Sequence, residues 1–206
     1  MMTTPIAALL TALAAPTAAP GVFESTVPWL EGEPITVRGS EATLVLRAWD
    51  RDEIRVTEAL GRPDDRVEIA FGAGVSLSLR SATAGAPVHG RVVVDLPAGA
   101  AVEVFSLTGP VELEGLGGEF DVETLSGRVT GRALEGAALR VHSLSGSVDV
   151  DARGVARLDL STSSGRVRVR RAWAARGPVE ARSDFGRVKV AGRAPLSPQL
   201  EPAFAR

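Results

Sequence analysis

Five glycines recur at nearly equal spacing through the second half of the chain. The intervals between them are 18, 19, 19 and 21 residues. A fixed period of this size indicates stacked supersecondary units, each of which buries its apolar face only against its neighbours. The five are Gly109, Gly127, Gly146, Gly165 and Gly186.

The residues around each of these glycines follow one pattern. Apolar residues stand seven and five positions before the glycine, Ser or Thr stands three before it, and Val stands two after it in every copy. Apolar residues at alternate positions are typical of a strand with one buried face. The pattern therefore predicts two short strands per repeat, joined by a tight corner. There the glycine is expected to supply a backbone conformation that a side chain would penalise, and the hydroxyls to satisfy corner backbone groups.

Such repeats can bury their apolar faces by stacking coil on coil, with each strand pairing to its equivalent in the next coil. We therefore predict an all-β, single-domain β-solenoid (β-helix-like), with repeats of about 19 residues occupying residues 101–192. The return corners between coils should add a third row of core residues. Those predicted for this row are Leu116, Leu134, Val155 and Trp173.

Residues 21–100 are rich in predicted strands but lack the period. We interpret them as an irregular N-terminal part that caps the stack, since an open end would expose unpaired backbone. Gly72–Gly74 is expected to be a hairpin turn. The predicted strands are Ile35–Val37, Leu44–Ala48, Ile54–Val56, Val67–Phe71, Val75–Leu79 and Val92–Leu96.

The two ends of the chain have different compositions. Pro5–Ala15 is a short apolar run ending in small residues, which indicates a signal peptide over residues 1–20 and an exported protein. The alternative is an Ala/Pro-rich tail, because Met1–Thr4 has no Lys or Arg. Residues 193–206 contain three prolines and no strand pattern, and are predicted to be a disordered tail.

Composition argues against most catalytic and metal chemistry. There is no Cys and no Tyr, and His89 and His142 are the only histidines. Ser143 adjoins His142, but neighbours in a strand point to opposite faces, so we do not expect a catalytic pair. Asp149 and Asp151 match no calcium-binding spacing and are interpreted as a solvated face. We therefore predict that the chain is not an enzyme and needs no cofactor or metal.

Two further sequence patterns could indicate that the chain binds or cleaves carbohydrate. Trp29, Trp49 and Trp173 could form a sugar-binding platform, but so few aromatics are more typical of core plugs or caps. A polysaccharide-active β-helix needs acids clustered along one face. The outward row that follows the glycines has no such cluster, and consists of Glu112, Thr130, Asp149, Arg168 and Lys189.

Charge is distributed unevenly along the chain. Residues 1–152 hold 11 basic and 21 acidic side chains, a net of −10, whereas residues 153–193 hold 11 basic and 3 acidic, a net of +8. The basic residues of the last two coils alternate with valines and should form an outward stripe. Three explanations of this stripe stay open: pairing with acids of the same chain, binding to an anionic envelope polymer or lipid headgroup, and binding to another copy. The stripe comprises Arg166, Arg168, Arg170, Arg187 and Lys189, extended by Arg171, Arg176 and Arg182.

Four segments carry a resemblance to a known family: Val92–Pro97, Ala101–Gly109, Thr124–Gly127 and Ser143–Gly146. The chain resembles the bacterial putative-adhesin family of β-strand-repeat domains over about residues 28–192. The resemblance implies a right-handed β-helix-like domain outside the cytoplasmic membrane, and it supplies no catalytic residue.

These observations rank three functions. The first is an envelope-associated, adhesin-like binding or scaffold module, without nucleic acid as a partner. The second is a structural module that self-associates by stacking its basic end on its acidic end. A polysaccharide-active enzyme ranks third.

Overall fold

The computed structural model describes residues 22–192, which form a single all-β domain. Within that range there are 17 strands, a single-turn 3-10 helix at Ala172–Ala174 and no α-helix. The strands are β1 Phe23–Pro28, β2 Ile35–Arg38, β3 Thr43–Trp49, β4 Glu53–Leu60, β5 Arg66–Phe71, β6 Val75–Arg80, β7 Gly90–Pro97, β8 Val102–Ser106, β9 Val111–Glu114, β10 Glu119–Thr124, β11 Val129–Arg132, β12 Ala138–Ser143, β13 Val148–Asp151, β14 Arg157–Thr162, β15 Val167–Arg170, β16 Val179–Ser183 and β17 Val188–Val190.

The strands form two mixed sheets. The nine-stranded sheet has the order β1-β4-β7-β3-β9-β11-β13-β15-β17, and the eight-stranded sheet has the order β16-β14-β12-β10-β8-β2-β6-β5. From β8 onward every pairing is parallel and joins strands of neighbouring repeats in equivalent register, as when Val122 pairs with Val104 on one side and Val141 on the other. In this part of the chain, the two strands of each repeat therefore belong to different sheets.

The core lies between the sheets. Alternation within each repeat strand places apolar side chains inward, so Val104, Val122 and Val141 are fully buried while Glu123 and His142 are exposed. Full burial of a Val or Leu side chain stabilises the fold by roughly 1.5–3 kcal/mol. Gly131 interrupts the apolar row without leaving a gap, because Leu134 Cδ1 occupies the space where its Cβ would be.

The parallel ladders continue into the N-terminal part without a break at residue 101. β2 pairs with β8 so that Ile35 lies beside Val102, and β3 pairs with β9 so that Leu44 lies beside Val111. Antiparallel strands complete this end: β1 and β4 in one sheet, and β5 in the other. The insertion of β4 to β7 between β3 and β8 explains why the sequence loses its period here.

The six strands predicted upstream are all confirmed, with bounds that differ by a few residues. Gly72–Gly74 forms the predicted hairpin between β5 and β6. β1 was not predicted. Phe23–Pro28 has little apolar alternation, and it is a strand through its pairing with β4.

The third row of core residues is confirmed in three of four positions. Leu116, Leu134 and Val155 are fully buried, whereas Trp173 is 66% exposed, so the prediction for Trp173 is wrong. Ala172 is buried at this corner instead. The last repeat is 21 residues long, and its corner contains the 3-10 helix after Arg171, whose φ is 50°. This turn directs the indole into solvent.

Both predictions for the chain ends lie outside the described residues: the signal peptide over residues 1–20 and the tail over residues 193–206. None of the helical structure in residues 22–192 is long and apolar enough to cross a membrane.

Candidate functional site

The basic stripe lies at the end of the nine-stranded sheet, on β15 and β17. The inward residues of β15, Val167 and Val169, are fully buried, and the alternation leaves the basic side chains outside. All five residues predicted for the stripe are exposed: Arg166, Arg168, Arg170, Arg187 and Lys189.

Pairing divides these cations into two groups. Arg170 Nε lies 2.9 Å from Asp149 Oδ1, and Arg171, at the edge of the stripe, forms an ion pair with Asp151. Arg182 contacts Glu180 on the other sheet. Arg176 and four cations on or beside β15 and β17 form no ion pair with any residue of the described chain, and these four are Arg166, Arg168, Arg187 and Lys189.

These four unpaired cations face one another across neighbouring strands. Arg168 lies directly beside Lys189 in the β15–β17 register, and Arg166 and Arg187 immediately precede the paired residues Val167 and Val188. Neighbouring strands are about 4.8 Å apart, and like charges that are directly opposite destabilise a sheet. The pairing of β15 with β17 therefore opposes folding slightly, and Asp149 lies opposite Arg168 on the other side of β15.

The repeat glycines form a column at the corners between the two sheets. A Cβ on Gly146 would lie 3.0 Å from the carbonyl carbon of Gly127 and closer still to its oxygen, and Gly165 has the same relation to Gly146. None of the five repeat glycines has a positive φ. The prediction of a backbone conformation reserved for glycine is therefore wrong. Glycine is required because the corner of the preceding coil is too close for any side chain.

The predicted hydroxyl contacts at these corners are confirmed. Ser143 Oγ accepts a hydrogen bond from the Gly146 N–H at 2.8 Å, and Thr162 Oγ1 accepts one from the Gly165 N–H at 3.0 Å. Ser183 also links two coils, because its Oγ donates to the Gly165 carbonyl at 3.1 Å. These bonds, of which those of Ser143 and Thr162 are buried, hold the glycine corners in place.

A groove that the sequence analysis missed runs beside these corners, along the outer face of the eight-stranded sheet. Its volume is about 590 Å³. One wall is a column of exposed leucines, Leu107, Leu125 and Leu144, with exposures of 55%, 49% and 54%. The signal was present in the sequence, since these leucines stand two residues before three successive repeat glycines.

His142 and Ser161 meet in this groove. His142 is exposed and Ser143 is buried, as the alternation predicted, so the neighbouring pair is not assembled. The actual partner of His142 is one coil away: His142 Nδ1 lies 2.5 Å from Ser161 Oγ. Within the described residues no carboxylate is hydrogen-bonded to His142, although Glu123 lies beside it in the β10–β12 register.

The acidic and aromatic residues considered for ligand binding are dispersed. Asp149 and Asp151 form ion pairs with Arg170 and Arg171, and Asp151 is buried, so the interpretation as a solvated face is wrong for Asp151. Trp29 is buried near β1, which confirms it as a core residue, while Trp173 stands exposed at the opposite end of the stack.

A row of mostly acidic side chains lies on the outer face of the eight-stranded sheet. Four acids and one arginine occupy equivalent outward positions on consecutive strands of the eight-stranded sheet, and Arg140 there pairs with Asp121 at 3.1 Å. The row consists of Glu103, Asp121, Arg140, Asp159 and Glu180.

No family model and no curated protein matches this chain. Two solved structures are distantly similar. A putative cell adhesion protein from Clostridium sporogenes ATCC 15579 is 8% identical, with a TM-score of 0.41 over 82% of this chain and 97% of that one. A putative adhesin from Parabacteroides merdae ATCC 43184 is 10% identical, with a TM-score of 0.27 over 84% and 97%. With TM-scores below 0.5, neither similarity supports a functional argument.

Proposed function

We propose that this protein is an exported, non-enzymatic, adhesin-like binding module of the cell envelope. Its domain is a β-solenoid, and it binds surfaces that carry closely spaced anionic groups. The observation that carries the proposal is the set of four exposed, unpaired cations on adjacent strands: Arg166, Arg168, Arg187 and Lys189.

The in-register parallel ladders support the solenoid as the scaffold of this site. Each repeat contributes one strand to each sheet, and equivalent residues of successive repeats lie side by side. Outward side chains on β15 and β17 are therefore separated by about 4.8 Å across the strands and about 7 Å along them. A regular array of charges with this spacing suits a polymer or surface with many phosphates or carboxylates better than a single small anion.

The location outside the cytoplasm rests on the N-terminal apolar run, Pro5–Ala15. The two distant structural neighbours are called a putative cell adhesion protein and a putative adhesin, but similarities this weak add no support. The anionic groups could belong to lipid headgroups or to an acidic polysaccharide, so both are used as probes.

The test compares two variants with equal loss of charge. The stripe variant carries R166S, R168T, R187S and K189T, and the control variant carries R62S, R66T, R128S and R132T at exposed positions without ion pairs in the described chain. Wild type and control should be retained at low salt on vesicles containing anionic phospholipid or on an immobilised acidic polysaccharide. The stripe variant should be released from both.

Retention should also weaken as the Debye length falls below about 10 Å. Retention on one probe alone identifies the source of the anionic groups. If both variants lose retention equally, net charge rather than the stripe explains binding. If wild type is not retained on either probe, the proposed function is wrong.

A self-associating structural module is the second candidate, and one observation favours it. β16 and β17 are edge strands at the basic end of the stack, where another copy could add its own strands. Sedimentation velocity at low and high salt separates the candidates, since salt-sensitive self-association supports the structural function.

A further inference from the structure

The nine-stranded sheet ends in an uncovered strand. β17 pairs with β15 on one side, and no other strand of residues 22–192 pairs with its second side. β1, the strand at the opposite end of this sheet, belongs to an antiparallel arrangement that breaks the repeat. The two ends of the stack are thus built differently, and the C-terminal end keeps the repeat geometry up to its edge.

The free backbone groups of β17 can be assigned from its bonds to β15. The Arg187 carbonyl accepts from the Val167 N–H at 3.0 Å, and the Ala191 N–H donates to the Val169 carbonyl at 2.8 Å. In a parallel strand, alternate residues direct their N–H and C=O groups to the same neighbour. The backbone groups of Val188 and Val190 therefore point away from β15, and such an edge is a template for another strand.

The core is also incomplete at this edge. Val188 is 38% exposed, whereas the valines at the same position in the two preceding coils, Val148 and Val167, are almost fully buried. Phe185, in the adjoining corner, is 86% exposed. An added strand with apolar inward residues would cover Val188 as β17 covers Val167.

The charge of the missing strand follows from the pairing of β13 with β15. β13 has the sequence Val-Asp-Val-Asp, and its acids form ion pairs with Arg170 and Arg171. β17 presents Lys189 outward, with Arg187 immediately before the strand, but its one neighbouring strand is also basic. An acidic strand on the free side would give β17 the complementary neighbour that β13 gives β15.

We propose that β17 binds an extended segment of another protein by parallel strand addition, and that this segment alternates apolar and acidic residues. A second copy of this chain is a poorer match. The strand at the opposite edge of the same sheet, β1, contains one acid, Glu24, and its Pro28 lacks a backbone donor. The interaction goes beyond binding of anionic surfaces, because it needs backbone hydrogen bonds in addition to charge.

The test uses the full chain and a fluorescently labelled peptide with the sequence of residues 146–152, Gly-Ser-Val-Asp-Val-Asp-Ala. Two control peptides separate the contributions. One replaces both Asp residues by Lys, and the other keeps the side chains but carries N-methyl groups on the backbone nitrogens that would face β17. Fluorescence anisotropy should show binding of the acidic peptide, at least about tenfold weaker binding of the lysine peptide, and loss of binding on N-methylation.

A substitution in the protein tests the same interaction without changing the peptide. Val188→Pro removes a backbone donor that does not bond to β15, and proline is tolerated at edge positions of this kind. The variant should lose peptide binding while keeping its retention on anionic vesicles, which distinguishes this interaction from the proposed function. If the variant does not fold, the N-methylated peptide still decides.

Two results would overturn the proposal. Equal binding of the parent and N-methylated peptides would show that charge alone is recognised. No binding of the acidic peptide would show that β17 does not accept such a strand, and sedimentation of the full chain would then show whether a second copy binds there instead.

Discussion

Substitution of Gly146 by Ala tests why glycine recurs at the corners. The added Cβ would lie 3.0 Å from the carbonyl carbon of Gly127, nearer still to its oxygen, and 2.7 Å from Ser143 Oγ. The Gly127 atoms are backbone, and they can move only if the ladder between two coils opens. We therefore expect a loss of about 3 kcal/mol, the upper end of the usual range for overpacking.

Two other glycines serve as controls. Gly136 has a φ of 79° and its nearest neighbour would be 3.9 Å from a Cβ, so Gly136→Ala tests conformation without crowding. It should cost about 1 kcal/mol. Gly99 has no atom within 4 Å and no positive φ, so Gly99→Ala should change stability by less than about 1 kcal/mol in either direction.

Urea denaturation of the three variants and wild type measures these differences as changes in the free energy of unfolding. For a chain of this size, Gly146→Ala should also lower the melting temperature by roughly 6–12 °C. If Gly146→Ala costs no more than Gly136→Ala, the close approach of the coils does not explain the glycine column and the reasoning fails.

Three further predictions concern single side chains. Leu134→Ala should lower the free energy of unfolding by about 2–5 kcal/mol because Leu134 is fully buried. Leu125 is exposed, so Leu125→Ala should lower it by less than about 0.5 kcal/mol. Equal losses of the two variants in urea denaturation would contradict this assignment. Asp95 is buried and bonds to two arginine side chains, so Asp95→Asn should lower unfolding free energy by about 1–2 kcal/mol, and an unchanged value would show that the ion pairs contribute nothing. Burial raises the pKa of Glu58, partly opposed by a hydrogen bond from the Val67 N–H, so the folded state holds this proton more tightly than the unfolded state. Glu58 should therefore reduce stability as the pH rises from about 4.5 through the raised pKa, and Glu58→Gln should remove that loss. A pH series of unfolding free energies in which the two proteins stay parallel would exclude the effect.

Strands could be predicted well because the direction of a side chain within a strand is a local property. Alternation alone placed Val104 and Val122 inside and put Arg168 and Lys189 on the surface. The same rule failed at the corners, where the chain is not extended. The exposure of Leu107, Leu125 and Leu144, and the groove beside them, therefore could not be read from alternation.

The division of the basic stripe also required the structure. Arg170 and Arg168 are equivalent in the sequence pattern, yet Arg170 has an acidic partner and Arg168 has none in the described chain. Asp149 lies directly opposite Arg168 on the neighbouring strand, yet its carboxylate contacts Arg170, which is diagonal to it. Pairing of this kind is a contact between repeats, and no single repeat contains it.

The sequence by itself determined the all-β class, the two strands of each repeat and the faces that they bury, because these follow from a period of two within a longer period. The tertiary structure decided which strands become neighbours. β2 pairs with β8 and β3 pairs with β9, although β4 to β7 lie between them in the sequence. The tertiary structure also decided that Gly146 is needed for close approach, and that Trp173 is exposed while Ala172 is buried. All of these outcomes have the same physical reason. Each depends on contacts with another repeat or on the backbone conformation of a corner, and alternation within one strand predicts neither.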